Sequence, residues 1–258
     1  MKLPVSPNRD LGQHFLVDEN ILGVIGRLAE LQADDVVLEV GPGLGVLTDY
    51  LAERVARVDA VELDRSLEPH LRERLGARDN VELHFGDALR VDLAALEPTK
   101  FVSNLPYNVA TPLIVESLDG LLSIRHWTVM VQREVADRLF AKPSTKAYGA
   151  VSVLVQLTTE RTGFHPVSRT VFKPPPNVES AIVAFRRTGL PERYADVKTL
   201  VEASFAHRRK TLPNSVELSG LVSRPEAAAA LAVIGRAPDV RAEALEPPEF
   251  VALEQALR

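Results

Sequence analysis

Asn104, Pro106 and Tyr107 stand in the order Asn-Leu-Pro-Tyr, directly after the apolar run Lys100-Phe101-Val102-Ser103. A run of that kind reads as a buried strand. Pro112, a few residues on, fits the first turn of a new helix. An amide, a rigid proline and an aromatic ring therefore fall at the carboxyl end of a strand, where open α/β sheets bind ligands. The Asn104 side-chain oxygen and the neighbouring Leu105 carbonyl can accept both N–H bonds of an exocyclic amine. The Tyr107 ring offers a stacking face to a flat base, worth roughly 1–3 kcal/mol. Taken alone, the tetrapeptide reads equally well as a strand followed by a Pro-Tyr turn.

Three further positions bear on a second ligand. Gly41-Pro42-Gly43-Leu44-Gly45 follows the β-branched run Val36–Val40. It departs from the dinucleotide fingerprint G-x-G-x-x-G, because Val46 stands where the third glycine would be. Such a turn still allows close backbone approach, but it suits a ligand without phosphates. Glu62, at the end of a second strand, can accept from ribose hydroxyls. Asp87, at the end of a third, can accept from an adenine amine. S-adenosylmethionine satisfies this set: it carries adenosine and a sulfonium charge and no phosphate. Glu62 and Asp87 also read as caps of the turns that follow them, and Asp64 competes with Glu62 for the ribose.

The elements needed to hold these residues are legible in order. Asp18 is a candidate N-cap for a helix running to about Glu30. Strands are expected over 36–40, 57–63, 81–85, 100–103 and 127–131, with helices over 46–53, 65–75, 134–140 and 148–157. Alternation of this kind predicts a parallel, doubly wound sheet. Two strands, 158–166 and 178–186, then follow with no helix between them. Their connection holds Pro174-Pro175-Pro176, which lacks free N–H groups and is stiff. Helices are expected over 192–207, 225–234 and 248–257. The expected domains are 1–187, which is α/β, and 188–258, which is helical.

The 258-residue chain has 46% apolar residues and no cysteine, which excludes disulfides, thiolate metal sites and cysteine nucleophiles. A reducing cytoplasm is the simplest compartment. No stretch approaches the ~20 apolar residues of a membrane span, and residues 1–7 lack a hydrophobic signal core. The six histidines show no H-x-x-H or H-E-x-x-H spacing, so no metal is expected. Net charge is −5, yet residues 161–215 hold ten Lys/Arg against four Asp/Glu, a local +6. That segment reads as an RNA-phosphate contact or as an ordinary solvated face.

The ordered motifs Gly12-Gln13-His14-Phe15-Leu16, Glu39–Gly45, Val61-Glu62-Leu63-Asp64, Gly86-Asp87-Ala88, Asn104–Asn108 and Phe172–Ser180 resemble those of the small-subunit ribosomal RNA adenine dimethyltransferases. Phe205–Leu212 is similar to that family's basic helix, so the resemblance covers nearly the whole chain. It implies a Rossmann-like S-adenosylmethionine-dependent methyltransferase domain with a small α-helical C-terminal domain. It implies two methyl transfers to N6 of each of two adjacent adenosines near the 3′ end of small-subunit rRNA, in a pre-ribosomal particle. Cofactor contacts are implied for Gln13, His14, Leu16, Gly41, Gly43, Glu62, Asp87, Ala88 and Asn104. The catalytic turn is Asn104, Leu105, Pro106 and Tyr107. Phe172 is implied as a second stacking face, with a core plug under the proline loop as the competing reading. Arg208, Arg209 and Lys210 are implied RNA contacts. His14 replaces the commoner Asn, and Pro213 replaces a basic residue. The expected partner is small-subunit rRNA, with no membrane and no metal, and the expected state is a monomer. Two rivals remain: a large-subunit rRNA methyltransferase of the antibiotic-resistance type, and a non-catalytic assembly factor.

Overall fold

A computed structural model describes residues 3–8, 11 and 13–258; Gly12 of the first motif lies outside the described residues. The chain divides into two compact units, one of residues 1–136 with 161–187 and one of 137–160 with 188–258.

In the first unit a two-residue strand β1 (Phe15–Leu16) precedes α1 (Glu19–Ala29), whose N-cap is Asp18. The expected strands follow as β2 (Val36–Val40), β3 (Arg57–Glu62), β4 (Val81–Phe85), β5 (Lys100–Asn104) and β6 (His126–Gln132). Between them stand α2 (Val46–Ala52), α3 (Glu68–Leu75) and α4 (Ala110–Gly120). Pro69 moves the start of α3 beyond the expected Arg65, which lies instead in a 3-10 turn. After α5 (Arg133–Leu139) the chain enters the second unit for α6 (Ala150–Thr158), and the first unit resumes through β7 (Thr159–Val167), β8 (Phe172–Lys173) and β9 (Ser180–Arg187).

The seven-stranded sheet has the order β4-β3-β2-β5-β6-β9-β7. Its first five strands run parallel, but β9 is antiparallel to β6, so the sheet is mixed rather than wholly parallel. With only a proline-stiffened connection between β7 and β9, there is no crossover helix to return the chain in parallel. β8 pairs with β1, a ladder the periodicity did not reveal because each strand is two residues long. Leu16, Ile25, Leu51, Val102, Met130 and Phe172 belong to one buried cluster that joins α1, α2 and the sheet.

The chain order reverses between β2 and β5, and there the ladder is short. Only Val37–Lys100 and Leu38–Phe101 pair, whereas β2 and β3 pair along their whole length. Gly41 N–H still reaches the Val61 carbonyl at 2.9 Å, and Gly86 N–H the Glu62 carbonyl at 2.9 Å. The splaying is therefore confined to the β2–β5 side, where the Ser103 hydroxyl donates to the Val40 carbonyl at 2.6 Å. A crevice at such a reversal is where this architecture takes ligands.

The second unit holds α7 (Tyr194–Ala206), α8 (Leu212–Leu218), α9 (Arg224–Val233) and α10 (Pro247–Ala256). It also takes residues 137–160, so the division is discontinuous where a single cut near 188 was expected. The reason is packing: Tyr148 is fully buried, donates to the Leu245 carbonyl at 2.8 Å and meets Phe205 edge-on. The apolar helix α6 contacts α7 and α10. α8 was not expected. α7 stops at Ala206, and Pro213 begins a new helix, which its ring permits only in a first turn.

Candidate active site

Two clefts adjoin at the crevice, both lined from the first unit, and they share Leu11, Gln13, Gly41 and Pro106. One, of about 650 Å³, is lined by His14, Glu39, Asn104, Leu105, Tyr107 and Phe172 among others. The other, of about 620 Å³, includes Glu62, Leu63, Asp87, Ala88 and Leu89. Neither cleft is lined by Lys or Arg among the described residues. A phosphate would lack a partner there, whereas a cation would not be repelled.

Gly41 sits at φ 76°, and a Cβ there would stand 3.0 Å from the Pro106 ring, so any other residue would close the junction of the clefts. Gly43 donates to Glu62 Oε2 at 3.1 Å, and Asp64 N–H donates to Oε1 at 2.8 Å. These two amides hold the carboxylate in the cleft with acceptor capacity left for hydroxyls. Burial raises its pKa, against those same amides. Asp64 does not line the cleft. One of its oxygens caps Ser66 and the other accepts from Gln13 Nε2 at 2.8 Å. Asp87 does cap its turn, accepting from Leu89 N–H at 3.0 Å, and it also lines the cleft beside Ala88. The capping and binding readings are compatible at this residue.

Asn104 ends β5, and its Oδ1 is buried without a hydrogen-bond partner. Leaving a buried acceptor unpaired costs about 1–3 kcal/mol, and this one lies in the lining of a cleft, where a ligand's donor can reach it. The Leu105 N–H donates to the Met130 carbonyl at 3.0 Å and fixes the turn on β6. Tyr107 follows, half-buried, its hydroxyl 2.7 Å from Ser180 Oγ. Burial raises the phenol's pKa, so at neutral pH it is a neutral ring and not a base. His14 stands 6.0 Å from that ring, centroid to centroid, and its Nδ1 is 2.8 Å from the Pro174 carbonyl. Leu16 lines the same cleft from β1. Phe172 also lines it, but only 3% of its surface is exposed and it packs in the core cluster with Leu16. A base can reach only the small part of Phe172 that faces the cleft.

Two residues given no role from sequence belong here. Glu39, 1% exposed, has an unpaired Oε2 and lines the Asn104 cleft. Burial lifts its pKa to about 8, with the Thr48 hydroxyl opposing the rise and the Glu62 charge adding to it. An acid in the middle of an otherwise apolar strand was the available signal. Ser180 was visible only as the last letter of a motif.

Arg208, Arg209 and Lys210 are exposed but occupy the turn between α7 and α8, not a basic helix. Arg208 also donates to the Tyr148 carbonyl at 3.0 Å. The excess positive charge of 161–215 is not one patch. Arg187 points inward, donating to the Leu118 and Ile124 carbonyls, and Arg193 pairs with Asp196 at 2.6 Å. One group among the described residues has cation-binding spacing: Asp59, Glu82 and His84, with ligand atoms within 4.8 Å of one another. It spans two strands, which is why spacing along the chain did not show it. The Arg57 guanidinium already occupies Asp59 Oδ2 at 3.0 Å. No helix among the described residues is long and apolar enough to cross a membrane.

The sequence profile of ribosomal RNA adenine dimethylases matches residues 5–246. The chain belongs to this family. It is an rRNA adenine dimethyltransferase, and its methyl donor is S-adenosylmethionine. It is 49% identical to the ribosomal RNA small subunit methyltransferase A of Rubrobacter xylanophilus, over 96% of this chain and 94% of that one. The protein of the same name from Lactococcus lactis is 42% identical, over 96% and 89%. Among solved structures, a dimethyladenosine transferase from Plasmodium falciparum shares the fold at TM-score 0.78 and 24% identity, covering 93% of this chain and 96% of that one. The 23S rRNA methyltransferase ErmE aligns at TM-score 0.68 and 30% identity, covering 94% and 99%. The acceptors fit the dimethylase's cofactor: carboxylates of Glu62 and Asp87 in one cleft, an unpaired Glu39 oxygen in the other, and no Lys or Arg side chain in either.

Proposed function

We propose that this dimethyltransferase modifies N6 of two adjacent adenosines near the 3′ end of small-subunit rRNA, in a precursor particle, acting as a monomer in the cytoplasm. Small-subunit enzymes share 49% and 42% identity with it, against 30% for the large-subunit enzyme. The observation that carries the site assignment is the buried, unpaired Asn104 Oδ1 beside the Tyr107 ring.

S-adenosylmethionine supplies an electrophilic methyl group when bound. Glu62 accepts from the ribose hydroxyls, Asp87 from the adenine amine, and Gly41 and Gly43 admit the ligand's close approach. Gln13 and Ala88 complete the walls around the adenosine, and His14 and Leu16 line the adjoining cleft, into which the methionine part would extend. The target adenine must leave its stack to enter that adjoining cleft. There Asn104 Oδ1 and the Leu105 carbonyl accept the N6 hydrogens. These bonds favour a pyramidal nitrogen and aim the lone pair that would otherwise delocalise into the ring. Alignment of this kind can contribute about 7–11 kcal/mol. Tyr107 stacks on the base, with the exposed part of Phe172 opposite. The 188–258 segment contributes RNA contacts through Arg208, Arg209 and Lys210.

The test is incubation with labelled S-adenosylmethionine and, in parallel, under-methylated small and large ribosomal subunits, followed by mass mapping of each RNA. Dimethyladenosine at two adjacent positions near the 3′ end is expected. Label confined to large-subunit RNA would transfer the enzyme to the resistance type. A folded protein that labels neither RNA would be a non-catalytic assembly factor.

A further inference from the structure

Tyr107 is tied at its far edge. Its hydroxyl lies 2.7 Å from Ser180 Oγ, and Ser180 is 1% exposed. Ser180 opens β9 and pairs with Gln132 of β6, while Asn104 of β5 pairs with Met130 of that same strand. The Leu105 N–H also ends on the Met130 carbonyl. The segment that carries the acceptor and the ring is therefore anchored at both ends to β6, through the ladders on its two sides at Met130 and Gln132. On another side, His14 stands 6.0 Å from the ring at 31° between planes, and it is itself held by the Pro174 carbonyl.

We propose that Ser180 is a positioning residue for the target base: its hydroxyl fixes the plane of Tyr107, and this matters most for the second methyl transfer. The proposal rests on Tyr107 being the stacking face. In the first transfer the amine donates two N–H bonds, to Asn104 and the Leu105 carbonyl. Once it carries one methyl group it donates only one. Half of its hydrogen-bond restraint is then gone, and orientation depends more on the stacked ring. A ring free to tilt should release the monomethylated base more readily than the unmodified one.

The experiment compares Ser180→Ala, Ser180→Thr, Tyr107→Phe, the Ser180→Ala/Tyr107→Phe double variant and Tyr107→Ala, on under-methylated small subunits. The first and second transfers are timed separately by mass. Ser180→Ala and Tyr107→Phe should each slow the second transfer about fivefold, the worth of one hydrogen bond, with a smaller effect on the first. Monomethyladenosine should accumulate and S-adenosylmethionine affinity should be unchanged. The double variant should be no slower than either single one, and Ser180→Thr should restore dimethylation. Should Ser180→Ala fail to fold, Tyr107→Phe breaks the same bond from the other side. Normal second transfer in both single variants, or effects that multiply in the double variant, would overturn the clamp. If those variants are silent while Tyr107→Ala is crippled, the stacking assignment stands and only the clamp fails. A silent Tyr107→Ala removes the stacking assignment itself.

Discussion

Strand β5 ends in opposite ways. At its start Lys100, largely buried, donates to the Ala29 carbonyl at 2.8 Å and to the Glu30 carbonyl, and pairs with Asp35 at 3.0 Å. Asp35 in turn accepts from Thr99 Oγ1 and the Gln32 amide. Four residues later Asn104 keeps a buried oxygen with no partner, and Glu39 of the adjacent strand does the same. The Lys100 edge closes its ammonium and carboxylate around a helix end, although His126 Nδ1 stays unpaired there, away from either cleft. The other edge leaves its polar groups open toward a cleft. Both are polar and buried, so burial alone does not mark a site; the unpaired atoms facing a cavity do.

The contrast predicts that changes at the two edges separate activity from stability. Asn104→Ala should reduce methyl transfer by more than about 10³-fold, with unfolding and S-adenosylmethionine binding little changed. Single-turnover assays and thermal melts on the same sample check this, and near-normal turnover would dissolve the distinction. Lys100→Met should do the reverse. It leaves Asp35 and two helix-end carbonyls without their cation, costing about 3–5 kcal/mol, while methylation per folded molecule survives. Urea titration reads the loss.

Two titrating groups sharpen the comparison with opposite signs. Glu39 is held neutral, its pKa raised by burial to about 8 from an ordinary 4.5. Its contribution to stability is full below 4.5 and lost as pH rises toward 8. His126, at the Lys100 edge, is lowered by burial and the Lys100 charge to about 4 from 6.5. Its contribution is full above 6.5 and lost as pH falls toward 4. At about 1.4 kcal/mol per pKa unit, the changes amount to on the order of 5 kcal/mol for Glu39 and about 3 kcal/mol for His126. Melts of cofactor-free protein from pH 4 to 9 should show Glu39→Gln flattening the alkaline limb and His126→Gln the acidic one. A variant that moves the other limb, or neither, would refute the corresponding assignment.

The smallest effect is expected outside the sheet. Arg209→Ala with Lys210→Ala should weaken RNA binding and reduce the slope of log affinity against log salt by about 2. Arg208 is kept, because it also supports the Tyr148 carbonyl. An unchanged slope would return the turn between α7 and α8 to plain solvated surface.

Much of the architecture was legible because it is written in local pattern. The β-branched runs, Asp18 as a cap and the alternation of strand and helix reflect backbone preferences within a few residues. What escaped lies across long separations or in very short elements. The β1–β8 ladder joins Phe15 to Lys173, α8 is a single seven-residue helix restarted by Pro213, and residues 137–160 join the C-terminal helices through Tyr148. Phe172 read either as a stacking face or as a core plug, and its burial in the cluster around Leu16 could not be told from sequence.

The chain's own letters determined which groups are available: an amide, a phenol, acids at three strand ends, glycines with no side chain to block them, and no cysteine. Those follow from residue type and order, and they were sufficient to indicate the chemistry. Tertiary structure alone decided which of these groups stay unsatisfied. Glu39 and Lys100 are both buried polar residues in apolar strands. Lys100 lies in a paired rung and meets the end of α1 and Asp35, whereas Glu39 lies just past the two paired rungs of β2 and β5 and lines a cleft, and both placements depend on contacts far apart in the chain.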